Sequence, residues 1–322
     1  MSTNVYLNAA KAAKNDEFYT RYEDVSNEVS RYAEQFSGKS VYCNCDDPKH
    51  SNFWNYFRDH FEEFRLRELM ATHCVPEEEE TYLTIYVGAG ESRIRIRSDG
   101  QFSAGDFRSR DCLCFLDKAD IICTNEPFSL FRPYIQQLIR HQKHFLIIGN
   151  MNAITYKEVF PLIKGNRMWL GYTQPKQFLQ PDGTAKQFGN VVWYTNMDVQ
   201  NRRDGLWHTD GRLDPQKMIA HYRGNEAEYP PYDNYRAIEV GRIRNIPYDY
   251  DGAMGVPITI LFSYSPKEFQ ILGADEAEGT GFSNGLFIGG GGRRQCYVNG
   301  KHVYKRIFIR NRNPVSACCE NP

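Results

Sequence analysis

The sequence predicts an α/β fold built around a mainly parallel sheet. Two observations carry this. Short apolar runs alternate with segments whose apolar residues recur at helical spacing, the order that builds strand–helix–strand units. Three of those runs also break off into polar residues, at Asn44 to Asp47, Asn125 to Phe128 and Gly149 to Asn152. Parallel sheets form their sites at the carboxyl ends of strands.

The elements follow in order. Glu23 to Phe36 places Val25, Val29, Tyr32, Ala33 and Phe36 on one helical face. Ser40 to Cys45 reads as a buried strand, closed by the turn Asp46-Asp47-Pro48. Ser51 is placed to cap a helix whose apolar side is Phe53, Trp54, Phe57 and Phe61. Leu66 to Cys74 is the next strand candidate, and the acidic run Glu77 to Glu80 breaks the pattern. TYLTIYV and RIRIR alternate on either side of GAGES, which predicts a hairpin at about 82–97. Gly105-Asp106-Phe107 closes a loop before a short helix at about 109–117. A strand from Ala119 to Thr124 then runs into Asn125-Glu126-Pro127-Phe128. The helix after it carries Phe131, Tyr134, Ile135, Leu138 and Ile139 on one face, and His144 to Ile148 is a further strand. Beyond about residue 165 the pattern turns to glycine, proline, aromatics and short strand-like runs. Two regions are therefore expected, 1–164 and 165–322.

Apolar residues make up 41% of the 322, enough for a packed core. No run approaches the roughly 18 apolar residues of a membrane span, and the opening stretch lacks the apolar segment of a signal peptide. A soluble intracellular protein is expected, cytoplasmic or nucleoid-associated, with no membrane partner. Nine cysteines, an odd number, do not fit a secreted disulfide framework. Cys43-x-Cys45 and Cys112-x-Cys114 have the wrong spacing for common zinc knuckles and read as small buried residues. No metal is expected to take part. The net charge of −1 argues against non-specific nucleic-acid binding. Its distribution argues differently: Leu286 to Asn313 holds no Asp or Glu, yet includes Arg293, Arg294, Lys301, Lys305, Arg306, Arg310 and Arg312. One positive face on a near-neutral chain suits a polyanion. Gly289 to Gly292 before Arg293-Arg294 fits either a loop against phosphates or a plain hairpin loop.

An exocyclic amine on a nucleobase is a poor nucleophile, because its lone pair is delocalised into the ring. Two acceptors on its two hydrogens favour a pyramidal nitrogen aimed at a methyl donor. An asparagine oxygen and the next residue's carbonyl can be those acceptors; a proline fixes the turn and an aromatic ring stacks on a flipped base. Asn-x-Pro-Phe alone also fits an ordinary turn, or transfer to RNA or to a protein glutamine.

Longer stretches are more specific. NDEFYTRYEDV, GKSVYCNCDDPKHSNF, GDFRS, ADIICTNEPFSLF, FLIIGNMNAITYKEVFPLI, FGNVVWYTN, YDNYRAIEV and PYDYDGAMGVPITIL occur in one order along the chain. In these the chain resembles the EcoRI-type adenine-specific DNA methyltransferases. The resemblance implies a Rossmann-like methyltransferase sheet, S-adenosylmethionine as methyl donor, double-stranded DNA as partner and a C-terminal target-recognition region. It maps the catalytic loop onto Asn125, Glu126, Pro127 and Phe128. Cofactor contacts fall on Phe18, Tyr19 and Thr20, on Asn44, Cys45, Asp46 and Asp47, and on Asp106 and Phe107. DNA contacts are expected from Arg293, Arg294, Lys301, Lys305 and Arg306.

Glu126 departs from the family's Asn-Pro-Pro-Phe. It keeps the backbone carbonyl, and the lost proline ring costs only about 0.4–1 kcal/mol. A carboxylate beside a sulfonium, however, favours the ground state over a transition state in which that charge is dispersed. Either the side chain reaches solvent or a cation such as Arg132, or it slows transfer. Two readings follow: an active adenine-N6 methyltransferase, and a DNA-binding protein with weak or no catalysis.

Overall fold

The computed structural model describes residues 19–76, 80–180, 184–210, 212–289 and 294–314. Phe18 and Arg293 lie outside these. The chain forms two compact units. The first comprises residues up to Ala153 together with Met168–Asp198; the second comprises Ile154–Arg167 and the chain from Val199 onward. The boundary expected at 164/165 thus falls differently, because residues 168–198 return to the first unit.

In the first unit the strands are β1 (Tyr19–Thr20), β2 (Ser40–Cys43), β3 (Glu68–Ala71), β4 (Glu80–Tyr86), β5 (Glu91–Arg97), β6 (Ile121–Thr124), β7 (His144–Asn150), β8 (Trp169–Leu170), β9 (Gln177–Leu179), β10 (Ala185–Gln187) and β11 (Val191–Thr195). Eight of them form one sheet in the order β5-β4-β3-β2-β6-β7-β11-β8. The pairings β2–β3, β2–β6 and β6–β7 are parallel. The outer pairings β3–β4, β4–β5, β7–β11 and β11–β8 are antiparallel. The sheet is therefore mixed rather than mainly parallel. The tight Val87–Gly90 turn obliges β4 and β5 to run antiparallel, because a parallel pair needs a long crossover. β2 and β6 are buried along their whole length, as strands covered on both faces are. Edge strand β5 is mostly exposed, and its alternating arginines discourage pairing with other chains.

The helices follow the apolar spacing. Ser51 caps Asn52–Asp59, its Oγ accepting from the Phe53 and Trp54 amides at 3.1 and 3.3 Å. Ser109 caps Arg110–Lys118. Phe131–Arg140 buries Phe131, Tyr134, Ile135 and Leu138. It packs closely on β7 because residue 149 is glycine; a Cβ there would lie 2.5 Å from the Phe131 ring.

The second unit has hairpins β12 (His208–Thr209) with β13 (Arg212–Leu213), and β17 (Cys296–Val298) with β18 (Lys301–Val303). Its main sheet has the order β14 (Ile238–Glu239), β15 (Met254–Pro257), β19 (Arg306–Asn311), β16 (Phe269–Ala274). Tyr232, Tyr235, Cys296 and Phe308 form a core cluster there. No helix among the described residues is long and apolar enough to cross a membrane.

Candidate functional site

The carboxyl ends of the parallel strands β3, β2 and β6 are tied together by hydrogen bonds in which Asp46 is the hub. Its amide donates to the Thr72 carbonyl at 3.0 Å, just beyond β3. Its carboxylate accepts from Ser51 Oγ at 2.7 Å, from the Thr124 hydroxyl at the end of β6, and from the Asn125 amide. The Cys45 amide donates to Thr124 Oγ1 at 3.2 Å. Burial pushes the Asp46 carboxyl up to about 6, partly offset by these bonds. Asp47 is half-buried; its Oδ1 accepts from the Lys49 amide at 3.0 Å and lies 4.0 Å from His73 Nδ1.

The loop after β6 presents Asn125, Pro127 and Phe128 half-buried, with the Asn125 side-chain oxygen buried. Pro127 leads directly into a 3-10 turn and then the Phe131–Arg140 helix. The Phe128 ring meets Phe178 of β9 edge-on, with centroids 6.5 Å apart. Glu126 turns inward. Its side chain is 1% exposed, and neither carboxyl oxygen has a hydrogen-bond partner in another residue. Burial, with the Asp46 charge adding to it, holds this carboxyl well above the usual carboxylate range. Of the outcomes expected for Glu126, reaching solvent does not occur: the side chain is buried, and burial raises its proton affinity.

Asn44 is buried, its Oδ1 accepting from the Tyr134 hydroxyl and its Nδ2 left without a partner. β1 pairs antiparallel with β9, which sets Thr20 opposite Phe178, the residue whose ring meets Phe128. Asn52 Nδ2 fixes that strand by donating to the Thr20 carbonyl at 2.8 Å, while the buried Thr20 hydroxyl has no partner.

The Gly105-Asp106-Phe107 loop closes over the end of β3. Gly105 has φ +77°, and a Cβ there would lie 1.9 Å from the His73 carbonyl oxygen, so the backbones meet too closely for another residue. Asp106 is held by Arg108, with contacts of 2.9 and 2.6 Å from Nε and Nη2. Phe107 packs edge-on against Tyr134 at 4.9 Å, and Gln137 Nε2 donates to its carbonyl at 2.9 Å. Every described residue expected around the donor therefore lies within the first unit. Thr124 and Tyr134 belong with them and were read only as strand and apolar helix face. The signal available was a hydroxyl at each position where an all-apolar residue would pack equally well.

Residues 6–312 match the family described as adenine-specific methyltransferase EcoRI. The chain belongs to this family. It is 39% identical to the type II methyltransferase M.EcoRI of Escherichia coli, over 97% of this chain and 98% of that protein. It is 33% identical to M.MgeORF184P of Mycoplasma genitalium, covering 95% and 98% of the two chains. It is also 33% identical to M.MpnI of Mycoplasma pneumoniae, covering 96% and 99%. No solved structure matches it.

In this methyltransferase the basic C-terminal stretch is less uniform than its sequence. Arg294 and Lys301 are exposed. Lys305 donates to Thr155 Oγ1 at 2.8 Å and to Glu278 at 3.3 Å. Arg306 forms an ion pair with Glu239 at 2.7 Å, both side chains 12% exposed. The acids missing locally are supplied by distant segments, so Lys305 and Arg306 are held by the fold rather than presented. Cys43 and Cys112 are buried as expected, whereas Cys45 is half-buried and Cys114 exposed.

Proposed function

We propose that this adenine-specific methyltransferase transfers a methyl group from S-adenosylmethionine to N6 of an adenine flipped out of duplex DNA. The observation that carries this reading is the Asn125–Phe128 loop. It stands at the carboxyl end of β6, beside buried polar atoms of Thr20, Asn44 and Glu126 that the protein itself leaves without partners. Folded proteins bond nearly all such atoms, so orphans on three segments of the first unit fit a polar ligand. The central parallel strands with their site at the carboxyl ends support a Rossmann-like donor-binding unit. The second unit would then serve target recognition.

On this reading Tyr19, Thr20, Asn44 and Cys45 line the donor. Asp46 shapes the strand ends through its internal bonds, and half-buried Asp47 receives the donor's amino group. Phe107 borders the donor's adenine ring, and Asp106 holds its loop through Arg108. The donor supplies an electrophilic methyl on a cationic sulfonium. The Asn125 oxygen and the Glu126 carbonyl accept the N6 hydrogens, while Phe128 stacks on the flipped base, offsetting the few kcal/mol that flipping costs. Of the cations, exposed Arg294 and Lys301 are the better placed for phosphates.

Sequencing-based mapping of methyladenine on DNA incubated with the protein and S-adenosylmethionine tests the proposal. N6-methyladenine in a defined sequence context, absent with Asn125→Ala, is expected. Absence of methylation, methylation of another base, or undiminished transfer by the variant would overturn it.

A further inference from the structure

Glu126 enters the reaction above through its backbone carbonyl, and its carboxyl has no part in it. That carboxyl is 1% exposed, and no other residue hydrogen-bonds either oxygen. It lies one peptide from Asn125. The titratable groups that face it are Cys45 and Asp46 from the end of β2 and Tyr134 from the helix that follows the loop. Asp46 is the charge that acts on it among the described residues, and it has the same sign as an ionised glutamate. Such a pocket keeps an acid protonated until positive charge arrives.

We propose that Glu126 exchanges its proton in step with the methyl donor: protonated in the free enzyme, it ionises when a sulfonium cation occupies the site beside Asn125. This rests on the donor site proposed above. Asp46 cannot substitute for it, since a carboxyl at about 6 is already almost fully ionised at about pH 7.5. The cycle closes chemically. As N6 bonds to the methyl carbon, the carbon–sulfur electron pair stays on sulfur, which becomes a neutral thioether. The methylated amine sheds one proton, and the Glu126 carboxylate, no longer beside a cation, regains one.

Isothermal titration calorimetry of the full-length chain at about pH 7.5, in buffers of different ionisation enthalpy, tests this. The probes are S-adenosylmethionine and its uncharged-sulfur product, S-adenosylhomocysteine; their shared amino group cancels in the comparison. About one more proton is released on binding the sulfonium than on binding the thioether, and the ratio of their affinities rises roughly tenfold per pH unit. Glu126→Gln, of the same shape without the titrating proton, abolishes the difference. Equal proton release for the two probes, or a difference that survives in Glu126→Gln, overturns the inference. If neither probe binds, the donor site itself is wrong and the inference falls with it.

Discussion

Glu28 and Glu126 are both withdrawn from water, at 0% and 1% exposure, yet their surroundings differ in kind. Glu28, in the Tyr22–Val29 helix, accepts from the Tyr32 hydroxyl, the Tyr172 and Thr173 amides and the Thr173 hydroxyl, at 2.7–2.8 Å. Gly171 lets the chain approach that closely; a Cβ there would lie 2.1 Å from Glu28 Oε1. Glu126, at the end of β6, accepts from no other residue through its side chain. Burial raises the proton affinity of both. The first is a clasp that joins a helix to the strand-end segment at 171–173. The second is polar capacity left over at the place where a substrate and donor are proposed to meet.

The comparison can be broken by mutation. Glu28→Ala removes the acceptor of four donors, one buried and three part-buried, and should lower the unfolding free energy by about 3 kcal/mol. A urea midpoint near wild type would mean Glu28 is not a clasp. Arg306→Met, which leaves Glu239 only its bond from the Tyr232 hydroxyl, should cost about 3 kcal/mol while scarcely changing the salt dependence of DNA binding.

Glu126→Gln should go the other way. In the unfolded chain Glu126 ionises near its ordinary value, whereas the folded protein holds the proton to much higher pH. The folded state thus binds more protons in that window, and wild-type stability falls as pH rises through it, by up to roughly 1.4 kcal/mol per unit. The variant lacks this loss, so its advantage in thermal midpoint should grow from about pH 5 upward. A constant difference would show that Glu126 is not held protonated. Lys301→Ala has the smallest expected effect on the fold, within about 0.5 kcal/mol. It should reduce the salt slope of DNA affinity by about 1, measured by titration at several salt concentrations.

Much of the first unit was legible because its signals are local. Ser51 and Ser109 cap their helices, the GAGES hairpin turns where its alternation breaks, and the polar clusters after Cys43 and Thr124 do end neighbouring parallel strands. Strand direction was not legible: the apolar run Val191–Thr195 reads the same whether it pairs parallel or, as it does with β7, antiparallel. The partners of the basic stretch were not legible either. Glu239 meets Arg306 across 67 residues, and no local window contains both. For Glu126, the residue type was informative and its orientation was not, since inward and outward rotamers on one turn leave the sequence unchanged.

The central claim is that Asn125 activates an adenine amine for methyl transfer. Single-turnover transfer from labelled S-adenosylmethionine to duplex DNA, with enzyme saturating and binding checked separately, measures it directly. Asn125→Ala should bind the DNA as wild type does and transfer at least roughly a hundredfold more slowly. A variant rate within about threefold of wild type, far below the loss expected for a transition-state acceptor, would contradict the account.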